Sequence, residues 1–414
     1  MIPAMNLSVR TAIAPTVILT FKSTKNSSTT FGVEYRGADD PIWNDGIGNI
    51  LQPAKSGFNS VVTFPWTTTA EKSVTISVLD SNAGFGVETF NGTGLTEINM
   101  LLASNWVTGI TINLSSNPGL TSIVLPNAVN NNLYAQSCSA LTSIDFSNVT
   151  GNMGNVWAFS CPSLTTLTVP VGFGSAFTWI SGTAISGHFD MSNWARIGNT
   201  NISNNDSVTS YTAPIEGPSV LYGNFNISGS ALLAGTIDLS TMYLTNAMNI
   251  STCPNVTAII LPATSQDIYI DVSYTGISTI DHNSMTLYQI QRLDHCNNLT
   301  SIDYTGVINN GVSRINIYSN PNLGYVDLTG PTAPFPERND FDLDAKDNGW
   351  SAAIVNHMLV DMNSVSTNAY TGRGIDLGGV NDPNAAPDAT SGGYDGLAAV
   401  ADLVNNKGFV VVTN

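Results

Sequence analysis

Apolar and polar residues alternate over short runs, and the runs break at Asn, Ser, Gly or Pro. The clearest stretch is ITINLSSNPGLTSIVL at 110–125, which reads I-x-I-x-L-x-x-N-x-x-L-x-x-I-x-L. Each half alternates as a strand with one buried face does. The first apolar anchor of the second half returns at Leu95, Leu120, Leu141, Leu164, Ile185, Val208, Leu233, Val256, Ile277, Leu299 and Leu323, spaced 21 to 25 residues apart. A period in the low twenties is too short for ankyrin, tetratricopeptide or propeller units. It predicts a solenoid of about eleven coils over 91–330, each with two short strand segments.

Ahead of most anchors stands an Asn or a Cys, as in CSALTSIDF (138–146), CPSLTTLTV (161–169), CPNVTAIIL (253–261), CNNLTSIDY (296–304) and NPNLGYVDL (320–328). The copies at Ile185 and Leu233 are shifted by one residue. A coil cannot bury its apolar face alone, so stacked neighbours make one continuous core. Asn117, Cys138, Cys161, Cys253, Cys296 and Asn320 are then expected to form a structural ladder where the backbone turns inward. An amide there satisfies backbone groups of its own or adjacent coils, and a thiol fills the same slot as a compact, weakly polar group. The cysteines are expected to be free.

These motifs resemble leucine-rich repeats of the divergent, BspA-like bacterial surface-protein kind. The resemblance covers about 92–330 and implies a mainly β, right-handed solenoid, with a β-helix as the alternative where leucine is sparse.

The ends depart from the period. Residues 1–90 carry alternating runs such as TVILTFKS and SVTISVLD and are expected to form a β-sandwich-like domain that shields the first coil. Residues 331–349 contain GPTAPFPERND and read as a linker. In 350–414, WSAAIVNHMLVDMNSV has a helical period, DGLAAVADLVNNKG reads as a helix stopped by Gly408, and GIDLGG and FVVV read as strands. This small α/β module resembles C-terminal modules of tail-fibre and other virion proteins of Bacteroidetes phages.

Composition changes the picture in one respect. Charged residues are only 10% of the 414, against about a quarter in ordinary soluble domains. Lys and Arg total 13, and Arg196 is the only one between Lys72 and Arg292. The surface must therefore be built from uncharged amides and hydroxyls. A net charge of -17 disfavours nucleic acid as partner. No apolar run reaches the length of a membrane helix, and the N-terminal stretch shows no pattern of a secretory signal.

Candidate chemistry is sparse. The four histidines are scattered and expected at polar surface or turn positions. Asp340, Asp342, Asp344 and Asp347 alternate as hard-oxygen calcium ligands can, though the glycine and glutamate of an EF-hand are missing. No other cofactor is implied. Asp145, Asp303 and Asp327 recur beside the anchors as an outward stripe, and Tyr134, Trp157 and Trp179 fall near the other strand, so these residues form a candidate binding surface. Phe159 and Tyr288 belong with the aromatics.

The expectation is a non-enzymatic phage virion protein, a tail fibre, receptor-binding or capsid-decorating component. Its partners would be other virion proteins and a host surface glycan or protein, and it would assemble as a homo-oligomer such as a trimer. A bacterial cell-surface adhesin and a polysaccharide-degrading tail-spike enzyme are the alternatives.

Overall fold

The computed structural model describes residues 15–414 except 26–28, 67, 69, 80–83, 103–105, 107, 128–130, 215–221, 263–267, 283–285, 306, 332–333, 335–340, 367–372 and 382, together with some side chains flanking them. The protein is mainly β, with 39% strand and 2 helices, and its repeats wind as a parallel β-solenoid of about 8 turns. Two compact units are distinguished: Met1–Gly154 with Thr166–Thr168, and Asn155–Thr165 with Val169–Asn414.

The first unit begins with antiparallel strands. Ile50–Leu51, Ile42–Asn44, Lys72–Val78, Thr16–Ser23 and Leu95–Asn99 pair in that order, and Asn59–Phe64, Thr29–Tyr35 and Phe85–Thr89 form a second sheet. Their core is aromatic: Phe21 lies 4.6 Å from Phe31 and 4.9 Å from Phe90, ring centre to ring centre. Buried Asp45 organises the loop after Ile42–Asn44, taking hydrogen bonds from the Ile47 and Asn49 amides and from the Asn49 and Trp66 side chains. Burial alone would raise its carboxyl, but these donors more than offset that and hold it below the ordinary range.

The same unit shows how a coil is made. Thr111–Asn113 pairs in parallel with Asn132–Tyr134, and Ser122–Val124 pairs with Ser143–Asp145. Ile112, Leu114, Leu120, Ile123 and Leu125 are fully buried between them. The corner is set by Ser116, whose φ of 56° lies in the left-handed region. Few non-glycine residues go there, and short polar ones tolerate it best. Asn117 follows, and its Nδ2 donates to the Phe90, Leu114 and Ser115 carbonyls while its Oδ1 accepts from Leu95 N.

That corner repeats through the second unit. Left-handed residues at Ser160, Gly182, Asn204, Gly229, Thr252, Tyr274, His295, Ser319 and Asp347 each precede a buried slot residue. Those slots hold Cys161, Thr183, Asn205, Ser230, Cys253, Thr275, Cys296, Asn320 and Asn348. Asn and Cys slots can serve the same carbonyl of the preceding coil: Asn320 Nδ2 donates to Leu293 O at 3.0 Å, and Cys296 Sγ to Val272 O at 3.3 Å. Thr183 and Thr275 stand two residues before their anchors rather than three, which accounts for the shifted copy at Ile185, whereas Ser230 stands three before Leu233, so that copy keeps the regular spacing.

All four cysteines are buried, and none forms a disulfide. Desolvation pushes the Cys253 and Cys296 thiols up, away from the reactive thiolate. In the native protein a disulfide-exchange reagent should therefore label no thiol on a timescale of minutes, with all four reacting in denaturant. Fast native labelling of Cys253 would show that its slot opens.

The long parallel sheet of the second unit runs from Phe173–Trp179 through Trp194–Asn201, Tyr222–Asn226, Leu244–Asn249, Ile268–Asp271, Thr286–Arg292 and Ile308–Asn316. It continues through Asp342–Asp344, Gly374–Asp376 and Val410–Val412. The segment read as a linker thus contributes a solenoid strand. In the last coils the short second strand is replaced by helix α1 (Ala352–Val365) and helix α2 (Gly396–Asn405). Helix α1 buries Val355, Met358, Leu359 and Met362 on one stripe, and the Asp395 side chain caps α2 by accepting from Ala398 N. Trp350 ties this end to the preceding coil, its indole N–H donating to Leu323 O at 2.6 Å.

Candidate functional site

Register makes the outward face of the long sheet a set of columns. The final outward residues of successive strands stand side by side: Trp179, Asn201, Asn226, Asn249, Asp271, Arg292, Asn316, Asp344 and Asp376. Neighbours in such a column are about 4.8 Å apart.

Four of these Asn and Asp side chains share a local task. Asn201, Asn226, Asn249 and Asp271 give Oδ1 to the amides of Ser203, Ser228, Ser251 and Ser273, two residues on. These are Asx turns, which end the strand and bend the chain towards the left-handed corner. At Trp179 the geometry is kept with reversed polarity, the indole N–H donating to Ser181 Oγ at 2.6 Å.

Because Oδ1 is engaged, the Nδ2 groups of Asn201, Asn226 and Asn249 face outward with no protein acceptor among the described residues. Asn199 joins them from the neighbouring column, its Oδ1 accepting from Asn224 N at 2.8 Å. Gly223 makes that contact feasible, since a Cβ there would lie 2.2 Å from Asn199 Oδ1. Phe177, Asn199, Asn201, Asn226, Asn249 and Tyr269 line a shallow groove of about 290 Å³.

Aromatic rings occupy one end of this face. Phe159 and Trp179 are 4.4 Å apart, and Trp157 lies 6.3 Å from both Phe177 and Trp179. All four are half-buried, so each keeps an accessible edge or face. Trp157 and Trp179 were expected here from sequence; Phe177 was not singled out. Tyr134 occupies the same outward strand position in the first unit, opposite Asn113. The Tyr288 side chain lies outside the described residues.

The other end is charged. Arg292 sits 3.6 Å from both Asp271 and Asp294, two carboxylates that are almost wholly buried. Burial, and then the Asp271 charge, pushes the Tyr269 phenol up, so it remains a donor to Asp271 at neutral pH.

Asp145, Asp303 and Asp327 are not among the residues that line this groove. Asp145, Asp303 and Asp327 accept from the amides of Ser147, Thr305 and Thr329 at 2.7 to 2.8 Å. Each makes an Asx turn, and the Thr305 hydroxyl and amide hold the Asp303 carboxyl below its ordinary value.

Nor do the calcium candidates converge. Asp340 lies outside the described residues. Asp342 accepts from Gly374 N and faces Arg314 and Arg373, each at 3.7 Å. Asp344 pairs with Lys346 at 3.1 Å, and burial raises its carboxyl. Asp347 sits at a left-handed corner and takes the Val380 and Asn381 amides. Each described carboxylate is thus claimed by a cation or a backbone amide, and among the described residues no three metal-ligating side chains gather.

The histidines differ from the surface expectation in one case. His188 is exposed between the Ser210 and Thr212 hydroxyls, and His295 stacks on Tyr274 at 4.3 Å. His357 lies between Tyr325 and Tyr394, 3.9 and 4.2 Å away. His282, by contrast, is fully buried in the core. Comparison of the chain with protein-family models, with curated proteins and with solved structures finds no match.

Proposed function

We propose that this is a non-enzymatic binding protein of a phage virion, a tail-fibre, receptor-binding or capsid-decorating component whose long-sheet face holds a glycan. The observation that carries the reading is the outward face itself. Four clustered aromatic rings adjoin a groove lined with amide side chains, on a parallel sheet whose register fixes every position. Aromatic rings offer flat apolar faces to sugar rings, and amides hydrogen-bond their hydroxyls. The groove lining contains no carboxylate, and Asp271 at its margin is committed to Ser273, Tyr269 and Arg292, which favours binding over hydrolysis. With this reading goes a leucine-rich-repeat-like, right-handed solenoid of eleven coils, preceded by a β-sandwich-like domain and closed by a small α/β module.

Screening the full chain on arrays of bacterial surface glycans tests it. Binding is expected, weakened about tenfold or more when Trp157 or Trp179 becomes alanine. A protein that binds no glycan or whole-cell surface material would remove the adhesive role. The setting has its own check, detection of the chain in purified phage particles. Its presence instead on bacterial envelopes would favour a cell-surface adhesin.

A further inference from the structure

The groove offers donors. Asn199, Asn201, Asn226 and Asn249 all have Oδ1 engaged by a backbone amide, and each leaves Nδ2 without a protein acceptor among the described residues. Three of them, Asn201, Asn226 and Asn249, stand in one column, so equivalent donors repeat about every 4.8 Å across the strands. The stretch of the column from Trp179 to Asp271 spans roughly 19 Å at that spacing. A ligand matched to it is extended, advances by about one coil per unit, and presents acceptors without requiring acceptors in return. An extended chain of hexopyranose units advances by a comparable step.

Charge narrows the choice. The protein carries -17, so its overall field disfavours a carboxylated or phosphorylated chain. The acceptor must be strong yet neutral, which describes an amide carbonyl. An acetamido group supplies that carbonyl together with a methyl suited to Phe177 or Trp179. We propose that the groove is a row of subsites for a neutral, N-acetylated linear glycan lying across the strands, with its sugar rings towards the Trp157–Trp179 cluster at one end. This rests on the glycan reading above and specifies its ligand.

Asparagine-to-aspartate exchange removes the donor and keeps the turn. Aspartate keeps the Oδ1 that makes the Asx turn, as Asp271 does with Ser273 in the same column, and puts a charged acceptor oxygen where the outward N–H stood. The probe is a series of N-acetylglucosamine oligomers of increasing length, titrated calorimetrically into the full chain beside glucose oligomers of equal length. Affinity should rise with length and then level off, and the N-acetylated series should bind at least about tenfold tighter. Asn226→Asp and Asn249→Asp should each weaken binding by about five- to tenfold with unchanged circular dichroism. Equal binding of both series, or aspartate variants that bind as the parent does, overturns the donor row. If neither series binds but arrays find another glycan that needs Trp157 and Trp179, this inference fails and the glycan reading stands. If no glycan binds at all, both fail.

Discussion

Replacing Asn320 with alanine should lower the stability of the solenoid by about 3–5 kcal/mol, among the largest effects of any single change in the repeats. The Asn320 amide donates to Leu293 O and Ile317 O, and its Oδ1 accepts from Cys296 N at 2.7 Å. Those three backbone groups face no water, because Asn320 is fully buried. Alanine leaves all three unsatisfied, at about 1–3 kcal/mol each before relaxation. Cysteine should cost less, since the Cys296 thiol already serves the equivalent carbonyl of its preceding coil. A solenoid need not unfold in one step, so global denaturation should be accompanied by amide hydrogen exchange. The expected signature is accelerated exchange at Cys296 and Leu323, with the antiparallel sheets of the first unit unchanged. Alanine and cysteine variants of equal stability would rule out the hydrogen-bond account.

The period, the strand pairs and the buried Asn/Cys slots were legible in the sequence because they repeat as identities. The corners that make the ladder work were less so. Ser116, Thr252, Tyr274, His295 and Asp347 share a left-handed backbone but no side-chain type, so no pattern marks them except their place one residue before the slot. Threonine slots were missed for a related reason, since Thr183 and Thr275 shorten the turn to the anchor by one residue. The strand at Asp342–Asp344 was read as linker because prolines upstream mask its alternation and a helix replaces the usual second strand.

At the candidate site, strand alternation singles out aromatics and acids alike, but not the turns that engage one oxygen of each acid. Asp145, Asp303 and Asp327 look like a ligand-facing stripe when only their strand position is considered. The further signal was the Ser or Thr two residues on, as in Asp145-Phe146-Ser147 and Asp327-Leu328-Thr329, which marks an Asx turn. The same signal at Asn226-Ile227-Ser228 and Asn249-Ile250-Ser251 identifies the amides whose Oδ1 is spent on the backbone. What the sequence alone could not supply is parallel register, which turns residues some two dozen positions apart into neighbours.

His282 gives the second large expected effect, and it depends on pH. In its coil it occupies the position that Leu239, Tyr304 and Leu328 fill in others, inward and directly after the strand's aspartate. Its ring stacks on Tyr304 at 4.7 Å, Nδ1 lies 3.3 Å from Asp303 O, and Nε2 has no partner among the described residues. Burial lowers its pKa from 6.5 to about 4, although Asp281 and Asp303 nearby favour the charged form. The unfolded chain therefore takes up a proton below about pH 6.5 that the folded chain refuses until about pH 4, and stability falls as pH drops through that window. The full loss is about 3 kcal/mol, and below about pH 4 this group adds no further slope. Carboxylates held below their ordinary range, such as Asp190 and Asp303, lose their contribution only at more acid pH. His282→Leu should thus be modestly more stable at neutral pH, where it removes an unsatisfied buried nitrogen. Its advantage should widen by about 3 kcal/mol towards pH 4. Denaturation midpoints for both proteins across that range, with exchange at the His282 and Tyr304 amides, decide the matter: two parallel curves would mean that the buried imidazole is protonated without cost.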